Sequence, residues 1–198
     1  MSVRAKTKKR LLILVGVSAA TLAAGAGGVM AIRSYRRHQA YLAGRKGLVD
    51  ARAGDYVAAL PELGQYLSRY PRDNAALFYY ATAREAVEEP NHRNLSEALG
   101  LWRQLISADP SNMEARHKQL DLYIKIGYAA ETLDAAQAIL QRDPKDMEGL
   151  RGKAVAESFQ RKFKDAIATI SACNKLYPTN LQNQLLEMQI RASNGASD

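Results

Sequence analysis

Three histidines, one cysteine and a run of two glutamates are the groups with chemical potential in this 198-residue chain. A hydrolytic metal site needs His, Asp or Glu at a fixed helical spacing such as HExxH. His38, His92 and His117 have no partner at such a spacing. A nucleophilic thiol needs a base or a cation beside it. Cys173 falls instead on the apolar side of a helical pattern, which reads as a small buried thiol. Glu88 and Glu89 could share acid and base roles, but Pro90 and Asn91 follow them, so they read as solvated loop carboxylates. No glycine pattern of a phosphate-binding loop is present, and Gly25–Gly28 sits inside an apolar run. The expectation is a protein that is not an enzyme and has no metal or cofactor. One cysteine also excludes a disulfide framework.

With no reacting centre to position, the elements themselves must carry the function. Apolar residues make up 47% and charged residues 24%, a globular balance. The formal charge is +8, but it is not spread. Residues 1–39 hold eight Lys/Arg and no acid, while residues 40–198 hold 20 of each sign. A neutral domain lacks the electrostatic footprint of a nucleic-acid binder, so no nucleic-acid partner is expected.

The basic stretch brackets residues 11–32, LLILVGVSAATLAAGAGGVMAI, which contain no charge. At about 1.5 Å per residue they would span roughly 33 Å, enough for a hydrocarbon core of about 30 Å. The reading is a basic tail over 1–10, a single transmembrane helix over 11–32 in contact with the lipid bilayer, and a juxtamembrane link over 33–39 that could equally continue the helix. The competing reading is a signal peptide cleaved near Ala26, after the small-x-small sequence Ala24-Gly25-Ala26. The Lys/Arg clusters on the two flanks nearly balance, and the denser N-terminal one favours placing the following domain on the non-cytoplasmic side. Gly16, Ala20, Ala24 and Gly28 form a small-residue stripe of the kind that lets two such helices dimerise.

The remainder repeats. Pro71, Pro110, Pro144 and Pro178 stand in the phrases RYPRDN, ADPSNM, RDPKDM and LYPTNL, at intervals of 39, 34 and 34 residues. Each is followed two positions later by Asp73, Asn112, Asp146 or Asn180. Proline ends a helix and Asx starts one by accepting from free backbone amides. Upstream, Ala59 and Leu63, Ala98 and Trp102, Thr132 and Ala136, and Ala166 and Ile170 place a small residue four positions before a second residue on one helical face. The period, the small-x3-large pairs and the closing proline resemble the tetratricopeptide repeat. The predicted units are 40–73, 74–112, 113–146 and 147–180, with 181–198 as a capping helix and frayed tail. The second unit carries five extra residues around Glu88–Arg93, read as a longer loop.

The resemblance implies an all-α helical-hairpin solenoid whose first helices line a concave groove for a protein or peptide partner. Projecting those helices gives Tyr41, Leu48, Phe78, Thr82, His117, Asp121, Ile124, Arg151, Val155 and Phe159 as groove residues. The family's carboxylate-clamp positions fall on Gly44, Leu48, Tyr79, Glu114 and Lys118, of which only Lys118 fits, so that sub-function is not expected.

Overall fold

Each of the four Asx residues starts a helix in the computed structural model, which describes residues 28–195. The Asp73 side chain accepts from the Ala76 amide at 3.0 Å, Asn112 from Ala115 at 2.9 Å, Asp146 from Gly149 at 2.8 Å and Asn180 from Asn183 at 3.0 Å. Such a cap satisfies a backbone donor that the first helical turn leaves free, worth about 1 kcal/mol. The helices are α1 (described over 28–52), α2 (Tyr56–Leu67), α3 (Asn74–Ala86), α4 (Arg93–Ala108), α5 (Met113–Ile126), α6 (Ala129–Leu140), α7 (Met147–Phe159), α8 (Phe163–Leu176) and α9 (Leu181–Gly195). No strand occurs among the described residues. The basic tail over 1–10, most of the 11–32 segment, the cleavage point at Ala26 and the stripe residues Gly16, Ala20 and Ala24 lie outside them. Among the described residues no helix is long and apolar enough to cross a membrane. Residues 33–39 are helical and run straight into the first unit.

From α2 onward every helix packs on the next one in the chain, and α5 also rests on α7. Small residues permit the close approaches. Ala59, Ala98, Ala136 and Ala166 are all fully buried, as are Leu63, Trp102 and Ile170. A Cβ on Gly152 would lie 2.7 Å from Leu120 Cδ2, and one on Gly149 would lie 2.8 Å from Ile139 Cγ2. These two glycines let α7 settle against α5 and α6. Gly127 ends α5 with φ of 83°, a left-handed backbone that glycine adopts without strain.

Three apolar clusters form a nearly continuous core. The largest joins α1 to α5 around Trp102, Leu63, Leu77, Leu99 and Leu105. The second joins Leu120, Ala136 and Ile139, and the third joins α7, α8 and α9 around Ile170 and Ile190. A fully buried leucine or isoleucine contributes about 1.5–3 kcal/mol each. Tyr66 ties α2 to the cap of α3 by donating its hydroxyl to Asp73 at 2.7 Å, which pushes its pKa up to about 12.

Candidate functional site

The first helices of the third and fourth units meet through charge. His117 Nε2 lies 2.9 Å from Asp146 Oδ2, while the other oxygen of Asp146 caps α7. One turn further along α5, Asp121 Oδ1 accepts from Arg151 at 3.3 Å. Arg151 also pairs with Glu148 on its own helix and donates to Gln182 Oε1 of α9 at 3.3 Å. Burial lifts the Glu148 carboxyl above the usual carboxylate range, partly offset by Arg151, with Asp121 raising it further. The three inter-helix contacts link residues 29, 30 and 31 apart, roughly one repeat each. They fasten consecutive first helices side by side.

Three of the ten residues projected to the groove thus belong to one network: His117, Asp121 and Arg151. Tyr41 and Phe159 are exposed, at 52% and 46%. Val155 is half-buried on α7. Thr82 spends its hydroxyl on the Phe78 carbonyl at 3.0 Å. Leu48, Phe78 and Ile124 pack on the core clusters, and the Phe78 ring meets Trp102 edge-on at 5.2 Å between centroids. Sequence reasoning passed over Asp146, Glu148 and Gln182. The signal for them is complementary polarity one repeat apart.

A second feature lies at the insertion of the second unit. The loop after α3 turns through a short 3-10 segment, Pro90–His92, where Asn91 and His92 take φ of 59° and 55°. Arg84 holds this loop, pairing with Glu89 and with Glu97 at 3.2 Å, and Arg93 adds a 2.9 Å bond to Glu97. Between the end of α3, this loop and α5 opens a cleft of about 730 Å³, rimmed by Tyr56 and Tyr128 from the starts of α2 and α6.

Among the described residues no group of His, Cys, Asp and Glu is arranged to hold a metal ion. Cys173 is fully buried, with burial pushing its thiol pKa up, and Asn183 donates to its sulfur at 3.3 Å. A thiol in that setting is structural.

Antiparallel helix pairs of repeating length, closed by proline and capped by Asx, define a tetratricopeptide-type helical solenoid. Solved structures of MamA share it. MamA from residue 41 onward of Desulfovibrio magneticus RS-1 is similar at 16% identity and a TM-score of 0.65, over 80% of this chain and 88% of that one. An RS-1 MamA double mutant gives a TM-score of 0.66 at 15% identity, covering 78% and 84%. Another MamA crystal structure gives 0.65 at 12%, covering 79% and 83%. At these identities the likeness is one of fold. No family model matches the chain. No curated protein matches it either.

Proposed function

We propose that this protein is a membrane-held interaction scaffold that receives a partner protein or peptide along its first-helix face. The observation that carries the reading is the exposure of Tyr41 and Phe159 on the first helices of the first and fourth units, the latter on α7, which Arg151 ties to α5. Aromatic side chains left in water beside a rigid frame are the usual anchors of a protein interface. The fold offers an extended surface, which fits binding. Residues 11–32 hold the scaffold at the bilayer, with the repeats on the non-cytoplasmic side.

Affinity purification of the tagged full chain from crosslinked cells tests the scaffold role. Phe159→Ser should reduce recovery of the partner, whereas Lys175→Glu on exposed α8 should not; equal effects would move the binding surface away from the first helices. Leu22→Arg costs about 2.5–3.5 kcal/mol of insertion energy. It should shift the protein out of salt-washed membranes if residues 11–32 span them. The second reading, a secreted or periplasmic binding protein, rests on Ala24-Gly25-Ala26. A mature N-terminus at residue 27 would establish it.

A further inference from the structure

The cleft at the insertion holds charges that nothing among the described residues uses. Glu85 and Glu88 approach it from α3 and the loop, Lys118 and Lys125 from α5. None of the four makes an ion pair or a side-chain hydrogen bond, although Arg84, Glu89, Arg93 and Glu97 beside them are all paired. No ion pair crosses the cleft.

The floor adds a second, independent sign. Asn94 also lines the cleft and is only 2% exposed. Its Nδ2 donates to the Glu85 carbonyl at 3.5 Å, and its Oδ1 has no partner. One Glu85 carboxylate oxygen, Oε2, is likewise buried and unpaired. A buried polar atom left unpaired costs about 1–3 kcal/mol, so structures keep such atoms where a ligand completes them or where the fold forces it. The loop also takes left-handed backbone at two successive non-glycine residues, Asn91 and His92, types that enter that region more readily than most.

We propose that this cleft binds a dipolar segment of a partner peptide, with a guanidinium or ammonium placed against Glu85 and Glu88, and a carboxylate placed against Lys118 and Lys125. A purely cationic ligand leaves the lysine wall unanswered, and a purely anionic one leaves Glu85 and Glu88 unanswered. The volume lies within the roughly 300–1,000 Å³ of small-ligand sites, room for a few side chains. Tyr56 and Tyr128 at the rim can cover the ligand's apolar portion. The proposal rests on the scaffold reading for the source of its ligand and shares Thr82 with the projected groove, but its geometry belongs to the insertion.

The test uses the purified full chain and fluorescein-labelled alanine–glycine peptides. One peptide carries an arginine and a glutamate; two others replace the glutamate or the arginine by glutamine. Fluorescence anisotropy should show saturable binding of the dipolar peptide, on the order of tenfold tighter than either singly charged one, equivalent to about 1.4 kcal/mol. Glu85→Gln should remove the advantage that arginine confers and leave the advantage of glutamate; Lys118→Gln should do the reverse. Both changes are isosteric or nearly so at positions with no internal partner, and circular dichroism verifies the fold. Absence of saturable binding, or binding indifferent to both substitutions, overturns the proposal. Displacement of the peptide by an equal concentration of free arginine overturns the peptide as source and assigns the ligand to a small zwitterion. If the unsubstituted chain binds none of the peptides yet Phe159→Ser still loses the partner, the cleft proposal is sunk and the scaffold reading stands.

Discussion

The cleft beside the second unit and the face where α5 meets α7 hold similar side chains in opposite condition. On the α5–α7 face the polar side chains answer one another: His117 bonds to Asp146, and Asp121 and Glu148 pair with Arg151. In the cleft Glu85, Glu88, Lys118 and Lys125 face one another unpaired. A closed network fixes the spacing of two helices, and disturbing it should be felt as lost stability. An open set of charges contributes little to folding and keeps its interactions for a ligand. Charge content alone does not separate the two; pairing does.

Arg151→Glu should give the largest effect. It removes both ion pairs and places a third acid beside Glu148 and Asp121. The Arg151 side chain is only 21% exposed. Breaking a well-buried pair costs about 3–5 kcal/mol and an exposed one under about 1 kcal/mol, which puts this case at about 2–3 kcal/mol. The urea midpoint reads it; a comparable loss from Lys118→Glu would erase the distinction between the two regions.

A smaller effect is expected on acidification. Glu187 of α9 accepts from Ser171 and Asn174 at 2.7 Å each and pairs with Arg191. These bonds, the one from Ser171 foremost, hold its carboxyl below the usual range. The stabilisation is therefore present above the unfolded carboxylate value and is lost as pH falls through the folded one. Glu187→Gln should cost about 1 kcal/mol at neutral pH and flatten the acid limb of a stability–pH curve. An unchanged acid limb would detach the cap from this list of closed charges.

Asn91→Gly relieves one left-handed residue. Set against glycine's greater unfolded-state entropy, the gain should be about 0.5–1 kcal/mol, seen as a raised Tm. A lowered Tm would show that the insertion is not strained. Smallest of all, Glu85→Gln and Lys118→Gln should each change stability by less than about 0.5 kcal/mol. A large loss from either would mean that the cleft charges are structural after all.

The repeat was plain in the sequence because each boundary carries two physical signals at once, a proline that cannot continue a helix and an Asx that can start one. The face that each residue presents was much less plain. A first helix in this architecture touches its own second helix, the preceding unit and the following unit, so one apolar stripe serves three neighbours. Phe78 illustrates it: periodicity projects it to the groove, while Trp102 draws it inward. Asp146 was read only as a cap, although one carboxylate oxygen caps and the other meets His117. The insertion was visible as an irregular interval between prolines. Its cleft was not, because the unpaired state of Glu85 or Lys118 depends on which neighbours fail to reach them.

Residues 33–39 being helical has a mechanical consequence. The first buried side chain of α1 is Ala40, so about 18 Å of helix separates it from position 28 at about 1.5 Å per residue. Such a stretch transmits rotation as well as distance. One alanine inserted into 33–39 would lengthen it by about 1.5 Å and turn all the repeats by about 100° about the helix axis; seven would add about 10 Å and bring them nearly back into phase. Length and facing are geared together, so whatever precedes the helix sets the compass bearing of the binding face and not only its height.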